Sequence, residues 1–233
     1  MSGRDHKLIV HEQPKSPIAE AYRTLRTNIQ YAKVDGELKV LLFTSAGPGE
    51  GKSTVAANTA VALAQTGNRV ILVDCDLRKP VQHHVFRLNK KGLTNCLVGE
   101  SPAVELLQDS EVANLRVLTS GPIPPNPAEL LGSSRMAQAL ESLKEAADYV
   151  LLDSPPTIAV TDACVLSRRA DGVILVLDAD AVRPEMAQKA KELLENAQAT
   201  ILGAILNRAE IESEHSYYYY YYGHGNKDKA KKA

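Results

Sequence analysis

Lys39–Thr66 reads KVLLFTSAGPGEGKSTVAANTAVALAQT, and three local patterns follow one another in it. Val40–Phe43 is apolar at every position, as in a strand covered on both faces. From Ser53 to Thr66 the residues are mostly small or aliphatic, and the spacing predicts a helix. Between the two stands Ala46-Gly47-Pro48-Gly49-Glu50-Gly51-Lys52-Ser53-Thr54. Glycines let a backbone wrap a phosphate so that successive N–H groups point at it, and the helix N-terminus adds positive potential. Lys52 is then placed to reach the β- and γ-phosphates of a nucleotide, and the Ser53 hydroxyl to ligate Mg²⁺. Strand, loop, lysine, hydroxyl and helix come in the order of a P-loop. The stretch departs from the strict pattern once, with Ala46 in place of the first glycine.

Working outward, short apolar runs recur at 69–74, 115–119, 149–153, 172–177 and 200–206, with helical spacing at 16–33, 133–147, 161–169 and 184–198. Apolar strands alternating with helices predict an α/β domain of the P-loop NTPase fold. Its central sheet is mostly parallel and flanked by helices on both faces. Residues 1–15 read as a flexible arm, 16–211 as the domain and 212–233 as a flexible tail. Ser120–Pro127 (SGPIPPNP) reads as a proline-rich surface loop inside the domain.

The 233 residues carry 27 Lys+Arg against 28 Asp+Glu, a net charge of −1. That balance argues against a general nucleic-acid binder, which needs a basic excess. Cys75, Cys96 and Cys164 are too scattered for a disulfide scaffold or a paired-cysteine metal site. The start lacks the apolar core of a signal peptide and no run approaches a membrane span, so a cytoplasmic protein is expected. Aromatic residues are oddly distributed. There is no tryptophan, and six of nine tyrosines stand together as Tyr217, Tyr218, Tyr219, Tyr220, Tyr221 and Tyr222.

Three aspartates close apolar runs or follow them. Asp74 and Asp76 are spaced i, i+2 in VDCDLR, and Asp153 ends YVLLD. Ligands of parallel sheets sit beyond the carboxyl ends of strands, so these groups could hold one Mg²⁺ and leave one carboxylate as a base. Asn207-Arg208 could contact a nucleotide base or solvate a strand end. Cys75 reads as a small buried hydrophobe, His83-His84 as surface residues, and the lysines of 227–232 as a solubilising or lipid-brushing tail. Six consecutive tyrosines cannot make one face of an amphipathic element, so they read as an exposed phosphoryl acceptor. On the first helix, Glu20 and Arg23 fall opposite the Ile18/Leu25/Ile29 stripe and Arg26 on its flank.

The P-loop PGEGKST, the motif ILVDCDLRKP, the motif LLDSPP and the tyrosine cluster together resemble the bacterial tyrosine kinases of capsule and exopolysaccharide systems. The likeness is to the form whose kinase chain is separate from its membrane activator. EAYRTLRTNI (20–29) and LTSGPIPPNPAELL (118–131) are similar to that family as well. The resemblance implies an ATP- and Mg²⁺-dependent kinase that phosphorylates its own tyrosines in trans within a ring. It implies Ala46–Thr54 as the nucleotide loop, with Lys52, Ser53 and Thr54 on phosphates and metal. Asp76 and Asp153 support the metal, Asp74 is the base, and Glu20, Arg23 and Arg26 form the contact between subunits. It further implies a membrane-anchored activator, a tyrosine phosphatase and substrates such as sugar-nucleotide enzymes. A partitioning or septum-positioning ATPase is the competing expectation, but such proteins carry a lysine where Gly47 stands and lack the tyrosines.

Overall fold

A computed structural model describes residues 7–32 and 38–210. Ile9–Glu12 forms α1, Pro17–Tyr31 α2, Val40–Ser45 β1, Lys52–Ala64 α3 and Val70–Asp74 β2. The chain then crosses through α4 (Gln82–Val85), α5 (Leu93–Leu97) and a 3-10 turn (Ala103–Leu106) to β3 (Gln108–Asp109) and β4 (Leu115–Leu118). α6 (Pro127–Gly132) and α7 (Ser134–Ala146) lead to β5 (Tyr149–Asp153). The remaining elements are α8 (Asp162–Ser167), β6 (Gly172–Asp178), α9 (Pro184–Asn196) and β7 (Ile201–Asn207).

The seven strands lie in the order β3-β4-β2-β5-β1-β6-β7. Every pairing is parallel except that of β3 with β4. Alternation along each strand divides its side chains between two cores. Leu41, Phe43, Leu72, Leu151, Ile174 and Val176 pack with α3 on one face. Val40, Leu42, Val73, Leu152 and Leu175 pack on the other with residues of α7, α8 and α9. The α/β architecture with both faces covered is therefore as expected from the apolar runs.

β1 sits between β5 and β6. The chain leaves it toward β2 on one side, returns through β5, and crosses to β6 on the other. In such sheets a crevice forms where the order reverses, outside the carboxyl ends of the strands. In register, Asp74 pairs with Asp153 across β2 and β5, and Phe43 with Asp153 across β1 and β5. Asp74, Asp153 and Asp178 each fall two residues beyond a side chain of the α3-facing core, so all three carboxylates start on the face that carries α3.

Several local readings differ. Within the segment expected as an arm, Leu8 and Val10 are buried against α3. The buried Asn58 of α3 accepts from Val10 N (3.1 Å) and donates to Lys7 O (2.9 Å). Two apolar residues are too few to give a periodic signal, yet they suffice to dock a single turn. Residues 1–6 and 211–233, including the expected tail and its tyrosines, lie outside the described residues. In α2 it is Ala19 and Ile29 that are buried, while Ile18 is half exposed. Within 120–127, Ser120 and Gly121 are buried and Pro127 opens α6, as proline does at a first helical position. His83 is buried, not on the surface, while His84 is exposed. β7 is an edge strand with Leu206 59% exposed.

Candidate functional site

The loop between β1 and α3 owes its shape to glycine and to the far end of the chain. Gly51 has φ +92° as the residue capping α3, and a Cβ there would lie 2.2 Å from Asn207 Nδ2. That amide donates to Glu50 O at 2.9 Å, and Arg208 Nη2 donates to Gly49 O at 3.3 Å. Arg208 also pairs with Asp178 at the end of β6. Asn207 and Arg208 thus fix the loop's carbonyls. Within the loop, Gly47 N donates to Glu50 Oε1 at 2.7 Å and Ser45 Oγ to Gly47 O at 2.8 Å. Burial pushes the Glu50 carboxyl up, against the backbone N–H groups that hold it down. Beside the loop, Gly47, Pro48, Asp178, Arg183, Met186 and Arg208 border a cavity of about 490 Å³, the size of a small-molecule site.

Lys52 and the three expected aspartates converge. Lys52 Nζ lies 3.0 Å from Asp76 Oδ2, 3.2 Å from Asp153 Oδ1 and 3.0 Å from Ser53 Oγ. All four residues are buried. Burial works against the lysine's charge, but Asp153 and Asp76 outweigh it and hold the ammonium above its ordinary value. Asp76 Oδ1 accepts from Lys79 N (2.9 Å) and Arg78 N (3.3 Å), which folds the chain sharply after β2. Asp74 is fully buried and accepts from Asp76 N (3.2 Å), Val81 N (3.1 Å) and Gln82 N (2.9 Å). Burial first and the Asp153 carboxylate second push Asp74 up to about 8, against the backbone N–H of Gln82. Asp76 and Asp153 beside one ammonium leave a deficit of positive charge. With the Ser53 hydroxyl they are oxygen donors of the kind a hard dication takes. Among the described residues no group of three His, Cys, Asp or Glu encloses a metal ion unaided. Mg²⁺ binds through one or two carboxylates, waters and phosphates, and Asp76 and Asp153 supply such carboxylates.

Three contributors escape the sequence reading. Gln82 Nε2 donates to Asp153 Oδ2 (2.8 Å) and Ser53 O (3.1 Å). Arg78 makes a two-point pair with the buried Asp162 of α8, Nε to Oδ2 and Nη2 to Oδ1, both at 2.9 Å. Asp178 was within reach of the rule that found Asp74 and Asp153, since it too closes an apolar strand. Gln82 and Arg78 carried no such signal, standing in an irregular stretch. Burial pushes the Cys75 thiol well above its ordinary range, so it behaves as the small hydrophobe expected.

On α2, Arg23 Nη1 pairs with Glu20 Oε2 at 2.6 Å, both partly exposed. Arg26 turns toward its own chain, donating from Nη1 to Ala62 O at 3.3 Å near the end of α3. The structure therefore brings Glu20 and Arg23 together and sends Arg26 elsewhere.

The family described as NUBPL iron-transfer P-loop NTPase (ParA) matches residues 37–233. The chain is 48% identical over 215 residues to the tyrosine-protein kinase YwqD of Bacillus subtilis, covering 92% of this chain and 90% of that protein. It is 42% identical over 206 residues to the putative tyrosine-protein kinase CapB of Staphylococcus aureus, covering 88% and 90%. Among solved structures, the chimerical protein CapA2B2 superposes with a TM-score of 0.84 at 43% identity, covering 88% and 90%. The kinase domain of the Escherichia coli tyrosine kinase ETK gives 0.82 at 32%, covering 88% and 82%. A more distant likeness, TM-score 0.63 at 25% identity over 78% and 76%, is to the septum site-determining protein MinD of Pyrococcus horikoshii complexed with Mg-ADP. No helix among the described residues is long and apolar enough to cross a membrane.

Proposed function

The chain belongs to the bacterial tyrosine kinases of the capsule family, and from that premise we propose that it transfers the γ-phosphoryl group of ATP to the tyrosines at 217–222 of a neighbouring copy. The observation that carries this is the meeting of Lys52 with Asp76 and Asp153 at a P-loop, with Asp74 in register beside Asp153. Residues 46–54 cradle the phosphates, and the cavity beside Arg183 and Arg208 takes the nucleoside.

Lys52 exchanges carboxylate partners for phosphate oxygens when nucleotide binds. Ser53, Asp76 and Asp153 would hold Mg²⁺, which would supply positive charge to offset that of the transferring phosphoryl group. A tyrosine hydroxyl titrates near ~10 and is protonated at neutral pH. Asp74 takes that proton as the phenolic oxygen bonds to the γ-phosphorus. The bond from the γ-phosphorus to the β,γ-bridging oxygen breaks and ADP leaves. A base held near the working pH suits this step better than an ordinary carboxylate. Because Asp74 lies buried beneath residues 76–82, the acceptor tyrosine reaches it only as that segment shifts.

The same reading makes the protein a homo-oligomer that exchanges tails, with Glu20, Arg23 and Arg26 at the contact. A membrane-anchored activator recruits it to the inner face of the cell membrane, a tyrosine phosphatase resets it, and enzymes of sugar-nucleotide chemistry are its outside substrates. The capsule and kinase names of its relatives support this reading. The test is intact mass after incubation with Mg-ATP, beside Lys52→Met and a chain ending at Ser216, with and without the activator's cytosolic segment. A ladder of phosphates that requires Lys52 and vanishes with the tail is expected. ATP hydrolysis without added mass would replace the kinase reading by that of a P-loop ATPase.

A further inference from the structure

Gln82 is fully buried at the start of α4. Its Nε2 donates to two acceptors, Asp153 Oδ2 and Ser53 O. Only an NH₂ group can serve both, so the amide's orientation is fixed and its carbonyl oxygen lies on the other side. That Oε1 is buried and, among the described residues, has no hydrogen-bond partner. Its backbone N–H meanwhile donates to Asp74 Oδ2. One residue therefore touches the end of β2, the end of β5 and the first turn of α3. A buried acceptor without a donor costs stability, and a methionine would fill the same space without that cost.

We propose that Gln82 is a positioning residue for the magnesium ion. One N–H holds Asp153 in place, and the orphan carbonyl oxygen accepts from a water that the ion carries. The inference rests on the nucleotide-site reading above. Mg²⁺ usually keeps several of its waters at protein sites, and each is a donor in need of an acceptor. Groups that orient ligands in this way change metal affinity about 10–100-fold when removed. The irregular run from Asp76 to Gln82 then has a purpose. It brings an amide donor and acceptor back to the carboxylates.

The experiment is calorimetric titration of ADP into the full chain, with Mg²⁺ and with EDTA, for the natural protein, Gln82→Met and Gln82→Glu. ADP still binds Gln82→Met in EDTA, which reports that the variant is folded and gives the reference for the Mg²⁺-dependent gain in each chain. The gain on adding Mg²⁺ falls about tenfold or more in Gln82→Met. Gln82→Glu restores an oxygen acceptor and recovers part of that gain, which a packing role would not produce. An undiminished gain in Gln82→Met overturns the proposal, as does a Gln82→Glu no better than Gln82→Met. If Gln82→Met does not fold, Gln82→Leu is judged by the same ratio. Failure of the natural chain to bind ADP at all overturns the nucleotide-site reading itself.

Discussion

Asp74 combines two demands that conflict. Three backbone N–H groups suit its ionised form, while burial and the neighbouring Asp153 carboxylate favour the protonated one, and the latter prevail. In the unfolded chain the same carboxyl titrates near ~4. Between that value and about 8 the folded protein therefore holds more protons than the unfolded one, and stability falls as pH rises through this window. Asp74→Asn removes the dependence. Melting followed by circular dichroism without nucleotide or Mg²⁺ should show the variant gaining on the natural protein from pH 5 to pH 8.5, and parallel curves would refute this. Gly51 sets a second residue-scale expectation. A methyl group there meets both a φ of +92° and the Asn207 amide, so Gly51→Ala releases the loop's carbonyls. The variant should lose at least about tenfold in ADP affinity, of the order expected for one displaced hydrogen bond with backbone strain. Titration of a fluorescent ADP derivative measures it.

At the scale of elements, the pair of Arg78 with Asp162 ties the turn after β2 to the start of α8. Arg78→Ala leaves a fully buried carboxylate without its cation. We expect a loss of about 2–3 kcal/mol in urea unfolding, below the roughly 3–5 of a wholly buried pair because the guanidinium is 39% exposed. Asp162→Asn, which removes the charge as well, should cost less. This tie was invisible in the sequence because its partners stand 84 residues apart. Six of the seven strands were legible, since runs of Val, Leu and Phe such as 40–43 or 150–152 have few alternatives to a doubly covered strand. β3 was not, being two residues long and defined only by its pairing with β4. The helices at 82–85 and 93–97 are too short for any period to show. The P-loop and the aspartates were legible because spacing and a strand's end determine where such side chains go. Gln82 was not, because its place depends on how an irregular stretch folds back over Asp74.

For the whole molecule, the net charge of −1 is a starting point that the proposed phosphorylation would change greatly. Six phosphotyrosines add about −9 to −12 at neutral pH. Repulsion acts within ~8 Å at physiological salt, so only closely packed tails would respond. We expect a fully phosphorylated assembly to elute later on gel filtration, as smaller species; an unchanged volume would sink the idea. The anchoring of Arg208 at Gly49 has a consequence for how the tyrosines are ordered. It fixes the point from which the distance to each tyrosine is counted. Tyr217 lies nine residues beyond Arg208 and Tyr222 fourteen. Fully extended, these lengths reach at most about 32 Å and about 50 Å. Four strand spacings, about 19 Å, separate β7 from β2 before any detour around a nucleotide. A protomer serving itself would have little slack at Tyr217 and ample slack at Tyr222, so its phosphates would accumulate from the distal tyrosine inward. A tail presented by a neighbour is under no such tension, and the order of modification, read by peptide mass at high dilution and at high concentration, separates the two.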